Sequence, residues 1–181
     1  MARLSMRGAR PASCTLLALC CVAPATPGLA AEELRNWFND PFFQVRAAIA
    51  GCPAPAGPFT DRKGFLAQSH RRAEKGTTAW LAGEAQRPKA YAYDEEIASA
   101  LKAAFRDATD FGQSTLWVTV QGRVVYVEGC LPAGARPADL EAFVRRTANV
   151  QQAIAAVRLG PAGRVPYALM PPPAAAPGTA K

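Results

Sequence analysis

The chain has 181 residues, is half hydrophobic, and carries a formal net charge of +7 with one histidine. That length supports a single domain with extensions and excludes two large cores. Removing Arg3, Arg7 and Arg10 with the first thirty residues lowers the charge to +4. The remaining bases alternate with Glu74, Glu84, Asp94, Glu95, Glu96, Asp107 and Asp110, which excludes the basic stripe of a nucleic-acid binder.

Residues 1–30 read as a secretory signal peptide. A basic start is followed by the apolar run CTLLALCCVA (Cys14 to Ala23) and the small-residue, proline-containing stretch PATPGLAA (Pro24 to Ala31). The apolar run is about half the length a bilayer crossing needs, and Pro24 and Pro27 would break a longer helix. Cleavage is expected after Ala30 or Ala31, leaving a periplasmic protein with no transmembrane span. A lipid anchor fits less well, because Leu19 and not a small residue precedes Cys20.

The N-terminal extension, residues 31–93, begins with EELRNWFNDPFFQVRAAIAGC. Here Trp37, Phe38, Phe42 and Phe43 surround an Asp40-Pro41 break, which predicts short helical turns. These aromatics can meet a membrane interface or pack on the main domain. PAPAGP (Pro53 to Pro58) is a connector that cannot be helical. Thr60 to Lys75 then reads as a helix capped by Thr60 or Asp61 and stopped by Gly76. Arg71, Arg72 and Lys75 cluster near its end, as a contact for anionic phospholipid or as a solvated face near the helix C-terminus. Thr77 to Tyr93 reads as an irregular connection packed through Trp80, Tyr91 and Tyr93.

From residue 94 the periodicity is strong. Asp94 is a good N-cap, Glu95 and Glu96 suit a helix N-terminus, and Ile97, Leu101, Phe105 and Ala108 recur at helical spacing toward Gly112. The period then switches to two: Leu116, Val118 and Val120 alternate with Trp117, Thr119 and Gln121. Gln121-Gly122-Arg123 turns the chain, and Val124 to Leu131 returns as a second strand. Pro137 opens a second helix with Leu140, Phe143, Val144 and Thr147 inward and Asn149 closing it. Ala153, Ala155, Val157 and Leu159 mark a third strand. The expected fold class is therefore α+β. A small α-β-β-α-β unit over 94–160, a three-stranded sheet with two helices on one face, follows the helical or irregular extension. Residues 161–181 form a Pro- and Ala-rich tail in which Tyr167, Leu169 and Met170 dock and the run after Pro171 is disordered.

Cys14, Cys20 and Cys21 leave with the leader, so Cys52 and Cys130 are expected to form one disulfide in an oxidising compartment. Two unpaired thiols or an intermolecular bond are the alternatives.

DEEIASALKAAF, the hairpin LWVTVQGRVVYVEG with Gly122 and Gly129, ADLEAFVRR and VQQAIAAVRL together resemble a BON domain over residues 94–159. Two features depart from that pattern. Asn149 stands where a glycine is usual, a residue that also tolerates left-handed geometry. The Gly122 to Gly129 spacing is one residue long, which implies a longer turn or a bulge. The resemblance implies an envelope module that binds phospholipid or a protein partner, and it carries over no active site.

Catalytic residues are not evident. His70 lacks a nucleophile elbow, and Cys52, Cys130 and His70 lack paired zinc-ligand spacing. No phosphate loop or cofactor motif occurs. The competing reading is a small periplasmic hydrolase whose carboxylates, drawn from Glu84, Glu95, Glu96 and Glu128, meet in space.

Overall fold

The computed structural model describes residues 34–171. The expected leader and the expected disorder after Pro171 lie outside them. The elements in chain order are β1 (Phe42–Ala47), α1 (Arg62–Glu74), α2 (Thr77–Leu81), a 3₁₀ turn (Ala90–Tyr93), α3 (Asp94–Asp107), β2 (Thr115–Gln121), β3 (Val124–Leu131), α4 (Pro137–Arg145) and β4 (Gln152–Leu159).

The class is α+β, but the sheet has four strands, in the order β1-β2-β3-β4, where three were expected. β1 and β3 each run antiparallel to β2, and β4 runs parallel to β3 across the α4 crossover. The extra strand comes from the extension, where helical turns were expected. Phe42 pairs with Thr119, Phe43 with Val118 and Gln44 with Trp117, so FFQVRA adds an antiparallel edge strand. A bulge between Gln44 and Arg46 then returns Arg46 to the side of the sheet that carries Leu116. From there its guanidinium donates to the carbonyls of Phe105 and of Ala108, the latter at 2.7 Å, closing the C-terminal end of α3.

The core lies between the sheet and α3 and α4. Ile97, Leu101 and Phe105 of α3 and Leu140 and Val144 of α4 pack on Leu116, Val118, Val120, Val125, Val127 and Leu131, all at most 1% exposed. Phe143 joins edge-on to Phe105, with ring centroids 4.9 Å apart. Leu159, named among the alternating residues of the third strand, is 47% exposed at the end of β4. The helix expected to run toward Gly112 stops at Asp107.

The hairpin is tighter than the implied bulge or long turn. β2 and β3 pair without a register shift from Thr115–Cys130 to Gln121–Val124. Gly122 (φ 59°) and Arg123 (φ 67°) make the turn alone, the two positive values that a type I′ connection needs. Arg123 is held there by its Nε, which donates to the Asn149 carbonyl at 2.8 Å. Gly129 has φ 145°, and a Cβ there would lie 2.1 Å from the Thr115 carbonyl oxygen, so only glycine fits. Asn149 takes the left-handed geometry expected of it, at φ 67°.

Cys52 and Cys130 form the expected disulfide, with Cα atoms 6.0 Å apart. The bond fixes the connector to the sheet face turned away from α3 and α4. The C-terminal segment joins it there: Tyr167 donates to the Pro53 carbonyl at 2.7 Å, Ala56 N donates to Ala168 O at 2.7 Å, and Leu169 bridges Pro55.

Candidate functional site

The sequence singled out Arg71, Arg72 and Lys75, and α1 brings them to one place with three different environments. Asp61 caps the helix as expected, its Oδ1 accepting from Gly64 N at 2.7 Å. Arg72, one residue past the exposed Arg71, turns inward. It is 7% exposed and pairs with Asp40, and its guanidinium lies 3.8 Å from the Phe38 ring centre and 4.1 Å from that of Tyr91. The other oxygen of Asp40 accepts from Gln121 Nε2 at 2.8 Å. Arg72 is thus a buried bolt joining the aromatic N-terminal segment, α1 and the end of β2, with its charge committed to Asp40.

Arg71 is exposed and has no ion-pair partner among the described residues. Lys75 is half-buried; its Nζ lies 3.4 Å from the Gln121 carbonyl and 5.8 Å from the Tyr91 ring centre. Burial lowers its ammonium pKa below the ordinary lysine value. The Arg72 and Arg71 charges act the same way, and Asp94 opposes them. Arg71, Lys75, Gln68, Tyr91, Gln121 and Tyr126 line an open cleft of about 470 Å³, together with Arg72 and the carboxylate-bearing Glu74. The Tyr91 hydroxyl there has its pKa raised, first by burial. A shallow cationic cleft with amide and phenol donors suits an anionic group approaching from solvent.

Across Arg72 lies a second cleft, of about 400 Å³, bordered by Asp40, Asp94 and Glu95. Asp94 is the functional-looking group that sequence reasoning assigned only to capping. Its carboxylate accepts from Gly122 N at 2.5 Å and Arg123 N at 2.9 Å, so it clamps the hairpin turn onto the start of α3. Burial raises its pKa and the nearby Asp40 charge adds to this, while the two backbone donors and Lys75 act against them. The long-range Asp94–turn and Asp40–Arg72 pairs have no local sequence signal.

The four carboxylates of the hydrolase reading are dispersed. Glu128 sits on the sheet face opposite α3, where burial raises its pKa. Glu95 and Glu96 start α3, with Glu96 bonded to Arg87 at 2.6 Å, and Glu84 is exposed beyond α2. Each oxygen of Asp40 and Asp94 already holds a partner within the fold. His70 lies on an exposed face 3.4 Å from Glu74, and the Ser69 hydroxyl donates to the Phe65 carbonyl. Among the described residues no group of three or more His, Cys, Asp or Glu is placed to hold a metal ion.

Another cavity, of about 620 Å³, is lined by Phe111 and Phe143 at the other end of the helix layer. Its rim carries Arg136 and Asp139, which pair at 2.6 Å. No sequence expectation fell on it. Among the described residues no helix is long and apolar enough to cross a membrane. Comparison with protein-family models, with curated proteins and with solved structures finds no match to this chain.

Proposed function

We propose that the protein is an exported, non-catalytic binding module of BON type. It acts in the periplasm and associates with the envelope through the Arg71–Lys75 cleft, which takes the anionic headgroups of phospholipid. The observation that carries this reading is the division of labour among three neighbouring bases: Arg72 is spent on Asp40, while Arg71 and Lys75 line an open cleft and make no ion pair among the described residues. The order α3-β2-β3-α4-β4, with the parallel β3–β4 crossover, supports the BON resemblance. The dispersal of Glu84, Glu95, Glu96 and Glu128 over separate elements speaks against the hydrolase alternative. An acidic envelope protein is the other partner that the same two charges suit.

The test is co-sedimentation of the full exported chain with anionic and with neutral vesicles at rising salt. Near an anionic surface each basic residue contributes about 1 kcal/mol. R71A/K75A is therefore expected to weaken binding by about 2 kcal/mol, roughly 30-fold. Equal sedimentation of wild type and R71A/K75A, or no binding to anionic vesicles, overturns the lipid reading. Recovery of an acidic protein on the same two residues would put a protein partner in its place.

A further inference from the structure

Among the described residues, two of the large apolar side chains left in water are sequence neighbours, the others being Leu66, Leu159, Leu169 and Met170. In α2, Trp80 is 45% and Leu81 is 73% exposed, and no residue of that helix is buried. The corner does not depend on these side chains for its shape, because it satisfies its own backbone. Ala82 N donates to Thr78 O at 3.0 Å, Gly83 N to Trp80 O at 3.0 Å, and Glu84 N to Ala79 O at 2.8 Å. Its base is pinned where Ala90 N donates to Lys75 O at 3.0 Å. Gly76 packs so tightly there that a Cβ would lie 2.5 Å from Ala90 N. A rigid corner thus holds an indole and an isobutyl group outward, where burying them elsewhere would be favourable.

We infer that this corner is an apolar anchor that enters the interfacial layer of a bilayer while the neighbouring cleft engages its headgroups; the inference rests on the anionic-lipid reading of that cleft. Lys75 makes the juxtaposition. It lines the cationic cleft with Arg71, and it also lines the adjoining cleft formed with Thr78 and Ala79 of α2. A cation two residues before a helix that exposes a tryptophan and a leucine matches what an anionic bilayer offers: charge at the surface, and an interfacial layer in which indole rings settle. The other two tryptophans are occupied. Trp37 stacks on Phe65 at 5.3 Å and donates to Thr60 O at 2.7 Å, and Trp117 is half-buried within the sheet.

The experiment uses the full exported chain and anionic vesicles carrying acyl chains brominated near the carbonyls. Wild-type tryptophan emission is expected to be quenched on binding. W80F abolishes that quenching, and W80S/L81S weakens binding at least tenfold at low and at high salt alike. Far-UV circular dichroism and an intact Cys52–Cys130 bond establish that each variant is folded. If wild type binds and R71A/K75A weakens it, but W80S/L81S binds as tightly and W80F is quenched like wild type, the anchor is overturned and the cleft reading stands. If no variant or wild type binds these vesicles, both are overturned.

Discussion

Asp94→Ala probes the contact that joins the hairpin turn to the helix layer. The carboxylate is the partner of two turn donors, Gly122 N at 2.5 Å and Arg123 N at 2.9 Å, and Asp94 is only 4% exposed. Each buried donor left without a partner costs about 1–3 kcal/mol. Relief of the desolvation carried by the buried carboxylate offsets part of this, so the net loss is expected at about 2–4 kcal/mol. Asn at 94 keeps one accepting oxygen and should fall between. Urea unfolding followed by circular dichroism, with the disulfide intact, measures the difference. The pH dependence has a definite sign. Burial raises the Asp94 pKa, so the native state binds its proton more readily than the unfolded chain. Wild-type stability therefore falls, relative to D94A, as pH rises from the unfolded aspartate value through the raised native one. The deficit of D94A should be larger near pH 4 than at pH 7. A deficit below about 0.5 kcal/mol at both would refute the clamp, and one that grows with pH would refute the raised pKa.

Opening the Cys52–Cys130 bond, which spans a sequence separation of 78, should cost at most about 4.5 kcal/mol from chain entropy. A nonreducing digest that finds free thiols, or a C52S/C130S variant as stable as wild type, contradicts it. Arg72→Met leaves Asp40 buried without its cation and should cost about 3–5 kcal/mol, whereas Arg71→Ala should change stability by less than about 0.5 kcal/mol. Equal effects in a denaturation series would undo the distinction drawn between the two arginines. Burial alone raises the Glu128 pKa, so wild-type stability declines as pH climbs through the raised value. Glu128→Gln removes that decline, and its melting temperature should gain on wild type between pH 4 and pH 7; parallel curves would count against it.

Legibility in the sequence followed the source of each element's order. α3, α4, β2 and β3 each bury an apolar stripe, so Ile97, Leu101 and Phe105, or Leu116, Val118 and Val120, announce their period without reference to the rest of the chain. The disulfide was legible because the expected leader holds Cys14, Cys20 and Cys21, which leaves Cys52 and Cys130 to pair. β1 was not, because six residues flanked by Trp37, Phe38 and an alanine run carry too short a pattern, and its strand state depends on the free edge of β2. α1 was placed well, yet Arg72 was read together with its exposed neighbours. Its inward turn is decided by Asp40, Phe38 and Tyr91, which are remote in sequence. The turn at Gly122 and Arg123 was expected to be loose. It is tight because Asp94 supplies acceptors that no local pattern reveals.

The placement of β1 also bears on the order of assembly. The β2–β3 hairpin closes through neighbouring residues, whereas β1 meets β2 only after α1, α2 and α3 have been spanned, so its pairing is the slower, high-contact-order event. Until it docks, β2 presents an open edge, the template that invites association with another chain. Oxidation of Cys52 and Cys130 takes seconds to hours without help, far longer than hairpin formation. The interval between those two clocks is when the chain is most exposed to aggregation, and a disulfide catalyst would act by shortening it.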